Sequence, residues 1–142
     1  MIRSCNHSSF PKVDENALDQ QLREVLRSQA RGRASQADVD AAADEVITVV
    51  VAQQARAFVD LISDGMVRWD GPTSYHAQHM DGLETDGFVR WFHANFHEPR
   101  LVVRGAVSRP APFLVHDYEV AKSVALGRPV TVPHLGVDIL QV

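Results

Sequence analysis

Hydroxyl, carboxylate and guanidinium groups recur beside turn residues at three places in this chain. They are Ser8-Ser9-Phe10-Pro11, the run from Ser63-Asp64-Gly65-Met66 through Arg68 to Asp70, and Ser108-Arg109-Pro110. Serine hydroxyls and turn N–H groups can hold a polar substrate. Asp64 and Asp70 can meet a cationic or amino-acid group, and Arg109 can meet a carboxylate or a folate tail. Each also fits a plainer role: a strand-ending turn for Ser9, a cap or solvated loop for the aspartates, a surface ion pair for Arg109. Arg68 fits an ion pair with Asp64 or Asp70 as well as it fits a substrate contact.

Histidines supply a second chemistry. The chain has 7 of them. His76 and His79 are three apart and His93 and His97 four apart, so each pair would share a face if helical, and four imidazoles could hold a divalent metal. The pattern is not H-E-x-x-H, and solvent-facing histidines are the ordinary alternative. Trp69, Phe88, Trp91 and Phe92 could stack on a pterin ring, but such spacing on a short helix more often means core. The single Cys5 allows no internal disulfide and no cysteine-rich zinc site; it reads as a buried strand residue.

The elements that would position these groups alternate. Residues 2–7 read as a short strand, stopped by Pro11. From Asp14, the residues Ala17, Leu18, Leu22, Val25 and Leu26 repeat at helical spacing until Arg31-Gly32-Arg33. Ser35 with Asp38 is a near capping box. It opens a helix to about Arg56, with Val39, Ala42, Ala43, Val46, Val49, Val50 and Gln53 on one face. Strands are expected at 58–62, 101–107 and 129–132. A short helix is expected within 84–96 and a longer one over 114–126, and an exposed loop is expected through Trp69–Pro72. This alternation predicts βα units with 2–7, 58–62, 101–107 and 129–132 as neighbouring parallel strands. In such sheets the chemistry gathers where strands end, so Ser9, Asp64, Arg68, Asp70 and Arg109 are expected at one end.

Composition sets outer limits. The 142 residues, 45% hydrophobic and 23% charged, make one ordinary domain and exclude a disordered or low-complexity chain. No charge-free run approaches the ~20 residues of a membrane span. A net charge of −4 argues against binding driven by phosphate neutralisation, so no nucleic-acid partner is expected. No apolar leader is seen, which makes a cytoplasmic address the default.

The three segments also carry a family resemblance. Ser8-Ser9-Phe10-Pro11-Lys12 resembles the Gly-Ser-Phe-Pro-Arg turn near the start of the catalytic barrel of cobalamin-independent methionine synthases. Leu61-Ile62-Ser63-Asp64-Gly65, with Arg68 and Asp70, is similar to the family's (I/L)-S-D-G-E-x-x-R-x-D. Gly105 to Pro112 resembles G-D-V-S-R-P-K-P, and Ala121 to Val130 matches the helix and strand that follow. The matches keep the family's order from about residue 4 to 132.

The resemblance implies a (βα)₈ barrel, which typically needs about 250 residues. Residues 1–132 are therefore expected to form its N-terminal half, with 133–142 a divergent tail at a truncation. It implies zinc-dependent methyl transfer from 5-methyltetrahydrofolate, as a polyglutamate, to homocysteine. Ser8, Ser9, Asp64, Met66, Asp70 and Arg109 would be its substrate-binding residues. Met66 stands where the family's glutamate meets the substrate amino group, and methionine cannot pair with an ammonium. A different substrate, another carboxylate in that role, or lost activity would each account for it. The family's zinc ligands, a histidine, two cysteines and a glutamate, have no counterparts here, so the chain alone is expected to be inactive. Open sheet edges favour self-association. The other readings are a non-catalytic partial barrel that pairs with another chain, and a histidine-based metal hydrolase.

Overall fold

The computed structural model describes residues 2–6, 9–10, 17–69, 71, 74–90 and 97–132. In chain order its elements are α1 (Ala17–Ala30), α2 (Gln36–Arg56), β1 (Ile62–Ser63), α3 (Ser74–Ala77), β2 (Asp81–Arg90), β3 (His97–Ser108), α4 (Leu114–Val124) and β4 (Val130–Thr131). They fall into two compact units, Met1–Val67 with Leu114–Pro133, and Arg68–Phe113 with His134–Val142. The divergent tail expected at 133–142 lies outside the described residues.

The first unit is a small parallel sheet backed by helices. β1 pairs with β4 in parallel, Ile62 opposite Val130 and Ser63 opposite Thr131. On the other edge Cys5 bridges Leu61, also in parallel. Three of the four expected parallel segments are thus neighbours. The expected strand at 58–62 is displaced toward its C-terminal end. Phe58 instead has φ 59° and is 77% exposed in the turn that ends α2, while pairing holds Leu61 to Ser63. Cys5 is exposed, not buried.

Helix α2 begins where its cap chemistry puts it. The Ser35 hydroxyl accepts from Asp38 N–H and the Asp38 carboxylate accepts from Ser35 N–H, at 3.2 and 2.7 Å. These satisfy otherwise orphaned N-terminal donors. Its buried face runs Val39, Ala42, Ala43, Val46, Ile47, Val50, Val51, Gln54 and Ala55. Gln54, not Gln53, completes that face. Ile47, Val51 and Ile62 are fully buried, each stabilising the fold by about 1.5–3 kcal/mol. Ala121 and Ala125 from the α4 region join the same core, and His116 Nε2 meets both Asp44 oxygens at 3.0 Å across α4 and α2.

The second unit departs from the expectation. β3 does not join the parallel sheet. It pairs antiparallel with β2, with Leu83 opposite Val103, Glu84 opposite Val102 and Thr85 opposite Leu101. The expected short helix within 84–96 is therefore strand up to Arg90, and Trp91 to Phe96 lie outside the described residues. Cross-strand pairing outweighs the weak helical period here. Gly82 permits the register shift between Asp81 and Leu83: its φ is +78°, and a Cβ would lie 2.4 Å from the Ala106 carbonyl oxygen.

Candidate functional site

The first-unit site grows from the end of β1. Ser63, Asp64 and Gly65 are all buried, and Asp64 is only 1% exposed. A left-handed turn follows, Gly65 at φ +76° and Met66 at φ +52°. Glycine is required at 65, because a Cβ would sit 2.7 Å from Val50 Cγ1 and 3.0 Å from Phe10 Cβ. The Ser63 hydroxyl accepts from Gly65 N–H at 3.3 Å. Phe10 N–H donates to the Gly65 carbonyl at 2.8 Å.

That last bond joins the first two motifs. Ser9, exposed beside Phe10, and the Asp64-Gly65-Met66 turn leave parallel strands at the same end of the sheet. Asp64 is not the solvated loop residue of the plainer reading; it is buried, while Met66 is half-buried. Ser8 and Asp70 fall outside the described residues.

Gln54 is a residue that the sequence reading passed over. Its Nε2 donates to the Ser63 carbonyl at 2.7 Å and to Val50 O at 3.3 Å, and its Oε1 accepts from Ser63 N–H at 3.0 Å. A glutamine on a helix face reads as surface. Continuing the period from Val46, Ile47, Val50 and Val51 to position 54 was the available signal.

The remaining residues lie in the second unit. Arg109 is exposed just after β3, and because β3 runs in the antiparallel hairpin, it does not follow a strand of the parallel sheet. Arg68 is half-buried in the same unit. Trp69 and Gly71 are buried, so the expected exposed loop is not one. Trp69 stacks on Tyr75 with ring centroids 5.5 Å apart, and His76 meets Trp69 edge-on at 4.8 Å. Tyr75 and His76 come from α3, one turn that the sequence reading did not foresee. His79 lies flat on Phe113 at 4.6 Å, and its Nδ1 donates to the Tyr75 carbonyl at 2.8 Å. Beside them a pocket of about 200 Å³ is lined by His79, Asp81, Pro110 and Pro112, among others.

This geometry does not support the four-histidine metal site. His97 lies on β3 rather than on a helix, and His93 lies outside the described residues. Among the described residues no group of three or more histidine, cysteine, aspartate or glutamate side chains could hold a metal ion. Phe88 does not pack as core either; it lies on β2 and is 71% exposed.

The catalytic-domain profile of the cobalamin-independent synthases matches residues 8–131. The chain belongs to this family. It is 30% identical over 105 residues to the methionine synthase of Sulfolobus acidocaldarius, covering 73% of this chain and 30% of that protein. Identity to the Sulfurisphaera tokodaii methionine synthase is 32% over 104 residues, 73% of this chain and 30% of the relative. It is 28% identical over 117 residues to a Synechococcus 5-methyltetrahydropteroyltriglutamate–homocysteine methyltransferase, 81% of this chain and 15% of that protein. A solved B12-independent methionine synthase from Shewanella, in complex with selenomethionine, superposes with a TM-score of 0.61 at 16% identity, over 73% of this chain and 30% of its own. The chain thus spans about a third or less of the relatives it matches. Its α/β fold, parallel strands with outer helices, is part of the barrel of this family. Among the described residues, no helix is long and apolar enough to cross a membrane.

Proposed function

We propose that this chain supplies the amino-acid-binding portion of a cobalamin-independent methionine synthase barrel. The whole reaction on this reading is methyl transfer from 5-methyltetrahydrofolate, as a polyglutamate, to the thiol of homocysteine, in the cytoplasm. The observation that carries it is the hydrogen-bonded junction of the Phe10 and Gly65 backbones. It puts Ser9 and the Asp64-Gly65-Met66 turn at one sheet end, in a chain of this family. The Shewanella relative binding selenomethionine supports an amino acid as the ligand class.

Met66 cannot contact an ammonium group by charge. Asp64, the buried carboxylate two residues before it, takes that part on this reading, since a buried carboxylate is screened less than an exposed one. Ser9 adds an exposed polar residue at the same sheet end; Ser8, Asp70 and Arg109 are substrate-binding candidates by family resemblance alone. Zinc, in the family, lowers the thiol pKa and so delivers the nucleophilic thiolate. Among the described residues no group fits a zinc ion, so no zinc-dependent step is assigned to them.

The test is binding of reduced L-homocysteine and L-methionine to the purified chain, followed by amide chemical shifts. Shifts at Ser9, Gly65 and Met66 that disappear in Asp64→Asn are expected. Saturable binding confined to the second unit, or none at all, would overturn the reading.

A further inference from the structure

Among the described residues, the parallel pairing of residues 4–6 with Leu61 does not continue to Ser63. Leu61 N–H donates to Ser4 O at 3.0 Å, and Asn6 N–H donates to Leu61 O at 3.5 Å. In a strand every second residue turns its N–H and C=O to the same edge. Ser63 therefore faces the edge that Leu61 faces, and the next rung of the ladder should use it. Both Ser63 groups go to Gln54 instead, at 3.0 and 2.7 Å. A buried peptide group has to be paired, and a carboxamide offers the same donor and acceptor as a peptide unit. Gln54 itself is 4% exposed, and its Nε2 is further tied to Val50 O, one turn back along α2. Val50 is also the residue against which Gly65 packs.

We propose that Gln54 is a positioning residue for the amino-acid-binding turn. Its carboxamide takes the place of a strand rung, which separates the two strand ends and anchors the exit of Asp64-Gly65-Met66 to α2. The inference rests on the reading of that turn as the site for an α-amino acid. The ligand then meets a turn whose starting point is set by the helix and not by the pairing of residues 4–10. Gln54 touches no ligand in this account. It acts through Ser63.

Gln54→Glu keeps the shape and one acceptor but loses the donor to the Ser63 carbonyl, and Gln54→Met keeps the length with no hydrogen bond. In the full chain, checked for fold by circular dichroism, Gln54→Met should speed hydrogen exchange of the Ser63 amide by about tenfold or more, whereas Gln54→Glu, which keeps the acceptor for that amide, should leave it protected. Each should also weaken reduced L-homocysteine binding by about tenfold, with Gln53→Met unchanged. Retained Ser63 protection in Gln54→Met, or unchanged affinity in both variants, would overturn the proposal while leaving the amino-acid site standing. Absence of homocysteine binding in the unsubstituted chain would remove the amino-acid site, and the positioning role with it. If both variants fail to fold, the unsubstituted chain decides: homocysteine should shift the Gln54 side-chain NH₂ and slow Ser63 exchange, and neither change occurring would refute the role.

Discussion

Gly65 concentrates the constraints on the candidate site in one residue. It has a left-handed backbone, a carbonyl bonded to Phe10, and no room for a Cβ against Val50. Gly65→Ala adds a steric conflict to a conformation that L side chains disfavour. We expect a loss of about 2–3 kcal/mol in urea unfolding, with weakened L-homocysteine binding. A loss below about 0.5 kcal/mol, within the ordinary range for surface changes, would show that the turn relaxes more easily than its packing implies. Asp64 works differently. Asp64→Asn keeps the shape and removes the charge, so it separates the electrostatic role from the packing one.

At the scale of elements, two exposed carboxylates tie segment ends together. Backbone N–H first, and then hydroxyl, of Ser35 hold Asp38 below the ordinary aspartate range; those of Ser4 do the same to Asp60. A depressed folded-state pKa means that the unfolded chain binds more protons between the two values. The stability these bonds contribute is therefore fully present above the ordinary aspartate pKa and is lost as pH falls through the lower folded-state value. Asp38→Asn and Asp60→Asn should each flatten the acid limb of a pH–stability curve, and Ser35→Ala should lower the thermal midpoint through the lost cap of α2. An unchanged acid limb in both aspartate variants would show that these bonds do not persist in solution. The ion pairs of Arg100 and Arg104 with Asp86, at 2.9 and 3.4 Å, are on an exposed hairpin face, so replacing Arg104 should change stability little.

The whole molecule presents edges and apolar groups that its own described residues do not cover. Phe58, Phe88, Val103 and Leu126 are all more than half exposed. Exposed apolar groups and strand edges favour association. Light scattering behind size exclusion should give a mass above 15.7 kDa that rises with concentration. A strict monomer would count against this. The same preparation should form no methionine from homocysteine and methyltetrahydrofolate and hold no stoichiometric zinc. One zinc per chain, lost in His97→Ala, would restore the histidine site as a real centre.

What the sequence by itself determined was local or carried in order along the chain. The α2 start follows from a cap that needs only Ser35 and Asp38, and α4 follows from its period. The family follows from three motifs in sequence, since turn chemistry such as Asp64-Gly65 is written in adjacent residues. Tertiary structure decided the rest. Whether 101–107 joins a parallel sheet or a hairpin depends on which strand pairs with it, and β2 does so in an antiparallel register no short window encodes. The burial of Trp69 depends on Tyr75 and His76 from a single helical turn, too short to show a period. Gln54 became part of the site because a carboxamide on a helix met the two backbone groups that β1 left over. Residue types do not announce such pairings, because the partner is a backbone group that every residue shares.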